Sequence, residues 1–402
     1  MKKTLRAAFF AATGLALLFS QERASGPERE PVSVAVRVTS HGQFVGTLGR
    51  ADFEVLDDNV PQDITALYLC RKTAVERYEG ATDFRPVLSR QFYVVFQISE
   101  FHPKFLEAFP YLIDQVLEPG DLLEIQTPIK SYTLSAKAWK VKARRAVAEE
   151  MAALVRRDTV QGNTLYNGLL KDLKKFIRRI GAANQMATDE TDSDVSEIGL
   201  EAMLAQYRMT LQKLDELRAV DPNKLITFAR AAKAQPGRKH VLFVYQREFR
   251  PTITSSTMNQ LMSLYQDQPN ILGDVQELFQ FYHRETLLNR KMLSEVFADS
   301  GACLHFIYMN REPERVPGIV MREQSEDIFQ AFSEIARATG GGADSSQNPA
   351  VSIKQALNES EAYYLLYYTP PAGAGRGQFR TIQVRTKGGD YSVAHRAGYF
   401  SK

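Results

Sequence analysis

The sequence predicts an α/β protein. A doubly wound, mainly parallel sheet with helices on both faces is joined to a small all-β domain made from the two ends of the chain. Three observations predict it. Between residues 90 and 345, short β-prone runs alternate with longer stretches of helical periodicity, as in strands connected by crossover helices. The strongest runs, 92–96, 240–245 and 303–308, are nearly continuously apolar, as strands buried on both faces are. The segments 32–70 and 360–400 read as strands only, and neither is large enough to bury an apolar face alone.

The elements follow in order. Lys2, Lys3 and Arg6 precede an apolar run over 7–19 and then a polar stretch. This is the tripartite pattern of a secretory signal peptide, assigned to residues 1–25, and the run is too short for a comfortable membrane span. Residues 32–38 alternate as a strand, His41-Gly42 supplies a turn, and 52–56 and 63–69 read as further strands. Strand 92–96 is followed by a helical pattern over 104–116, a strand over 122–127, and extended chain over 131–138. Helices are expected at 147–156 and 164–180, then an acidic loop over 182–198, then helical insertions at 199–234 and 255–298. Pro236-Gly237 breaks the helix before strand 240–245; strand 303–308 and helix 326–339 complete the α/β part. Strands at 362–369, 379–385 and 391–395 close the chain.

Composition narrows the function classes. The 402 residues are 44% hydrophobic and 24% charged, ordinary for a folded domain. Without residues 1–25 the fifty Lys and Arg fall to 46 and the 47 acids to 46. A mature chain near neutrality has no global pull toward nucleic acid or acidic lipid. With the signal peptide removed, no other stretch is apolar and long enough to cross a bilayer. The expected location is therefore secreted or periplasmic. There an oxidising milieu permits a bridge between the only cysteines, Cys70 and Cys303, although two buried free thiols are at least as compatible.

Several short motifs, in order, carry a resemblance: VSVAVRVTSHGQFVGTLGRADFEVLDDNVPQDITAL over 32–67, LEPGDLLEIQ over 117–126, GNTLYNGL over 162–169, PGRKHVLFVY over 236–245, and a Tyr-rich ending from 364 to 399. The middle of the chain resembles a von Willebrand factor type A (VWA) domain, and the whole resembles the VWA-related Acidobacterial family. The resemblance implies a VWA-like, Rossmann-like sheet whose ligands bind at the carboxyl edge. Many VWA domains hold a hard divalent cation there through an Asp-x-Ser-x-Ser loop, a threonine and a later aspartate, leaving one coordination position for a partner's carboxylate. Here the loop positions hold Gln97, Ser99, Glu100 and Phe101, the threonine position holds Thr164, and the last aspartate position holds Gln246, followed by Arg247 and Glu248. Both aspartates have become amides. The implied site is a degenerate one: no metal, no cofactor, and a partner-binding edge formed by these eight residues. The alternative is a divalent-cation-dependent adhesion or sensor domain with a site rebuilt from Glu100 and Glu248.

Other chemistry finds no support in the sequence. The six histidines lack metal-ligand spacing, and His240 and His305 read as satisfied core imidazoles. Gly-x-Ser-x-Gly, P-loop and His-Glu-x-x-His patterns are absent. Gly340-Gly341-Gly342 follows a helix, so helix termination accounts for it better than a phosphate cradle. The expectation is a non-enzymatic module that binds a protein partner, with no role for nucleic acid and no stable membrane insertion.

Overall fold

The computed structural model describes residues 30–80, 85–134, 142–186, 193–285, 288–370 and 376–401, with the backbone alone for 183–186 and 193–198. The expected signal peptide and the end of the extended stretch 131–138 lie outside these residues. From Pro31 onward the chain packs as one unit.

At the start of the chain, β1 (Val32–Ser40), β2 (Gln43–Phe44), β3 (Phe53–Asp57), β4 (Val60–Gln62), β5 (Ile64–Arg71) and β6 (Ala74–Gly80) follow one another, all but β2 and β3 across short connections. The middle opens with β7 (Arg90–Gln97), α1 (Phe105–Pro110), which runs on as a π-turn over Tyr111–Val116, β8 (Leu122–Gln126) and β9 (Ser131–Leu134). Helices α2 (Arg144–Gly162) and α3 (Thr164–Met186) abut at Asn163. Next come α4 (Ser193–Arg218), α5 (Pro222–Ala234), β10 (Arg238–Gln246) and β11 (Phe249–Thr252). Beyond them lie α6 (Ser255–Leu264), α7 (Pro269–Gln276), α8 (Arg290–Ser300), β12 (Ala302–Met309) and β13 (Val320–Glu323). The chain closes with α9 (Glu326–Ala338), β14 (Ala343–Ser346), α10 (Pro349–Glu359) and β15 (Ala362–Tyr368), β16 (Phe379–Thr386), β17 (Ser392–His395) and β18 (Gly398–Phe400).

The central sheet has the order β14-β12-β10-β7-β8-β9. Strands β10 and β12 are buried almost throughout because helices cover both their faces. On one face Phe92, Val94, Phe96, Leu242, Val244 and Ile307 meet α1, α2 and α10. On the other, Val241, Phe243, Tyr245, Phe306 and Tyr308 meet α5, α8 and α9. The parity of strand side chains sorts neighbouring residues to opposite layers. A third cluster, built by α3, α4, α6 and α7, forms a helical lobe. Within it α4 buries Leu200, Leu204, Tyr207, Leu211 and Leu214, one stripe at alternating spacings of four and three.

The expected mainly parallel, doubly wound fold is corrected. Parallel pairing is confined to four ladders of the central sheet: β7 with β8, β7 with β10, β10 with β12, and β12 with β14. Even this sheet ends on antiparallel β9. The other sheets among the described residues are wholly antiparallel, with orders β17-β1-β15-β5-β6, β18-β16-β3-β4 and β11-β13. The described residues form a mixed α and β structure, 43% helix and 31% strand, with much of the strand in a curled antiparallel sheet. The physical reason is that hairpin-linked strands from both chain ends pair antiparallel with one another. Val32 lies opposite Tyr368, and Val55 opposite Val384. Between these two sheets Val34, Val36, Leu67, Tyr364, Leu366 and Ile382 form a core. Its one buried carboxylate, Asp57, accepts from Tyr368 Oη at 3.0 Å, Tyr399 Oη at 2.8 Å and Arg380 Nε at 2.7 Å.

Local expectations also shift. The loop expected over 182–198 is helical as far as Met186 and again from Ser193. Cys70 and Cys303 are both buried and free. The three glycines do end a helix: Gly340 has φ +78°, Gly341 N–H donates to Ala336 O, and Gly340 N–H to Arg337 O. This is the paired hydrogen-bond pattern of a Schellman cap.

Candidate functional site

In the central sheet the chain leaves β7 toward β8 on one side, while β10 lies on the other. The carboxyl ends of β7 and β10 therefore bound a switch point, where open sheets place their clefts. The expected site residues fall here, at Gln97 to Phe101 and Gln246 to Glu248.

Gln246, the last residue of β10, is 4% exposed and turns its carboxamide toward the loop after β7. Its Oε1 accepts from Ser99 N–H at 2.8 Å, Ser99 Oγ at 2.9 Å and Glu100 N–H at 3.0 Å. Three donors converge on one neutral oxygen, so the loop is closed by the amide. The same loop is held from α2: Asn163 Nδ2 donates to Ile98 O at 2.9 Å and to Thr159 O at 2.7 Å. Thr164 does not join this group. It is exposed, and its Oγ1 donates to the carbonyls of Gln161 and Val160 at the end of α2. Phe101 is half-buried against the core, its ring 5.6 Å from that of Phe105. Gln97 sits at the end of β7, and its carbonyl accepts from Arg218 Nη2 at 3.5 Å.

The two glutamates are engaged separately. Glu100 is 70% exposed and pairs with Arg311 at 3.1 Å. Glu248 is 1% exposed and lies between Arg218 and Arg284, with Arg284 Nη1 3.0 Å from its Oε2. Its own N–H donates to Ser325 Oγ at 3.0 Å. Burial pulls the Arg218 guanidinium down, but Glu248, Tyr245 and Tyr166 together outweigh burial and hold it above its usual range. Arg284 also reaches Asp327 at 3.1 Å. The cation-dependent alternative requires Glu100 and Glu248 to converge on Ser99 and Thr164, and this geometry keeps the two glutamates on separate arginines. Arg247, expected beside a vacated metal position, donates to Asn310 Oδ1 at 2.7 Å and pairs with Glu323.

Sequence reasoning missed Arg218, Arg284 and Asn163. Arg218 had one available signal: it ends an amphipathic helix as the only basic residue of its last turn. Arg218 and Arg284 line a cavity of about 760 Å³, together with Asp215, Tyr282 and Phe281. Around the edge, Val160 and Leu165 at the α2–α3 junction are 64% and 61% exposed, and Ile129 is 48% exposed. Gly162 packs so closely on Pro128 and Ile129 that a Cβ there would lie 2.7 Å from Pro128 Cβ.

Among the described residues no helix is long and apolar enough to cross a membrane. Comparison of the chain with protein-family models, with curated proteins and with solved structures gave no match.

Proposed function

We propose that the chain is a non-catalytic, extracytoplasmic protein-interaction module. In this reading, the positions that hold a metal in VWA domains have become a neutral hydrogen-bonded closure. The observation that carries the reading is the Gln246 carboxamide. Its oxygen takes up the donors of Ser99 and Glu100 that would otherwise face a ligand. A cation replacing it would meet no free carboxylate, since Glu100 and Glu248 are each paired with arginine. The partner would instead contact the exposed rim: Glu100 on the loop after β7, and Thr164 with its neighbours Val160 and Leu165 at the α2–α3 junction. Exposed apolar groups rimmed by polar ones are the usual composition of protein-binding surfaces. The cation-dependent alternative, built on Glu100 and Glu248, has no such observation in its favour.

The test is site-specific photocrosslinking of the secreted chain in its native host. A photoreactive residue at position 165 should give a discrete adduct that unlabelled protein competes away and that Val160→Glu removes. A control at Val60, exposed on the terminal β-strands, should give none. Equal adduct patterns from both positions would reject the rim as a binding surface.

A further inference from the structure

At the opposite edge of the central sheet, three side chains with metal-ligand chemistry meet. His240 on β10 lies directly across the parallel ladder from Cys303 on β12. His305 follows two residues later, so it projects from the same face as Cys303. One donor atom from each residue lies within 4.8 Å of the other two. Cys303 Sγ and His305 Nε2 are already 3.5 Å apart. That is the separation of two donors sharing one ion, about 3.5 Å for bonds near 2.0 and 2.3 Å.

The environment is unusual for a structural histidine. His240 is 1% exposed, and neither of its ring nitrogens has a hydrogen-bond partner. Buried imidazoles are otherwise partnered as a rule. The ring stacks on Phe92 at 5.2 Å, a contact that an apolar residue would make without burying two idle polar atoms. The cluster is not sealed. Cys303 and His305 line a cavity of about 850 Å³ between the central sheet and the terminal strands, which gives an ion a route in.

We infer that His240, Cys303 and His305 form a three-coordinate site for a soft monovalent cation, copper(I). A thiolate selects copper(I) or zinc, and imidazole suits both. Charge then separates the candidates. Four cations, Arg37, Arg71, Arg238 and Lys354, line the same cavity against two carboxylates, Glu359 and Glu361, and Glu359 lies 3.6 Å from both Arg37 and His305 Nδ1. A divalent ion on one thiolate keeps a positive charge facing those guanidiniums. Copper(I) on a thiolate is neutral and meets no such repulsion. On binding, the Sγ–H bond breaks, the proton leaves to solvent and a Cu–S bond forms, with no change in oxidation state.

The test uses the full chain, reduced and metal-stripped, titrated with copper(I) against a chromogenic copper(I) chelator, with zinc(II) as a parallel arm. Wild type and Cys70→Ser should each retain one copper(I) per chain. Cys303→Ser and His240→Phe should lose at least about a hundredfold in affinity, with unfolding midpoints of the stripped proteins showing that both still fold. X-ray absorption of the loaded chain should show one sulfur and two nitrogen neighbours. Equal affinity in Cys303→Ser and Cys70→Ser would overturn the site. A sulfur-only shell would do the same. Retention of zinc(II) in preference to copper(I) would overturn the monovalent assignment.

Discussion

Gln246 and Ser99, 147 residues apart in sequence, are joined by two hydrogen bonds to one oxygen: Ser99 N–H at 2.8 Å and Ser99 Oγ at 2.9 Å from Gln246 Oε1. The bonds join the end of β10 to the loop after β7, at the carboxyl edge of the sheet. Gln246→Leu keeps the volume and removes the acceptor, leaving buried donors unsatisfied. The expected cost is about 2–3 kcal/mol. Ser99→Ala removes one bond and should cost about 1 kcal/mol. Urea unfolding of the two variants and their double mutant reads the coupling, which should approach the Ser99→Ala value because the contact is shared. Additive effects would mean that the two residues act independently.

A closure built from an amide has a consequence for cations. Chelator-stripped protein titrated with Mg²⁺, Mn²⁺ or Ca²⁺ to millimolar concentrations should unfold at an unchanged midpoint. An ion held only by the folded chain would raise that midpoint by degrees. A saturable rise that disappears in Glu100→Gln would show that a hard-cation site exists at this edge after all. Copper(I) acts at the other edge of the sheet, so it is read separately.

What the sequence made legible was local. Alternation exposed the strands at both ends, and continuous apolar runs exposed β7, β10 and β12. Pairing direction was not legible, because it is decided between residues as distant as Val32 and Tyr368, and a strand's own period is the same in either direction. Helix α10 was missed because its start, Asn348-Pro349, follows a Gly- and Ser-rich stretch that reads as loop. At the site, the identities of Gln246 and Glu248 were plain, but their environments were not. Glu248 was legible only as a residue of the partner-binding edge, because α4 and the segment after α7 are what bring Arg218 and Arg284 to it. His240 looked like a satisfied core residue for the same reason, since the absence of a partner is a property of the fold alone.

Glu248 bridges two buried arginines, and removing it should be costly. Arg284 keeps Asp327, whereas Arg218 keeps only the 3.5 Å contact with Gln97 O as a hydrogen bond. Glu248→Leu should therefore destabilise by about 3–5 kcal/mol, chiefly by leaving Arg218 buried without its counter-charge. Adding Arg218→Met removes the orphaned charge and should recover much of the loss. A double mutant no more stable than Glu248→Leu would show that the loss comes from packing, not from charge.

Acid should loosen the terminal strands through His395. Its Nε2 accepts Val384 N–H at 3.2 Å, while Nδ1 contacts Arg396 O at 2.8 Å. The ring is therefore neutral with its proton on Nδ1, and a second proton would remove the acceptor that Val384 uses. Burial lowers its pKa below the usual 6.5, only partly opposed by the Arg396 carbonyl. The unfolded chain then takes up a proton first as pH falls. Stability is fully present above about pH 6.5, declines below it, and stops declining once the folded-state value is passed. His395→Gln cannot titrate and should lack this share of the decline. Between pH 7.5 and 5.5 the wild type should lose more stability than the variant in urea unfolding, and the His395 ring resonances should titrate below pH 6.5. Parallel stability–pH curves for the two proteins would show that the ring is not held neutral by the fold.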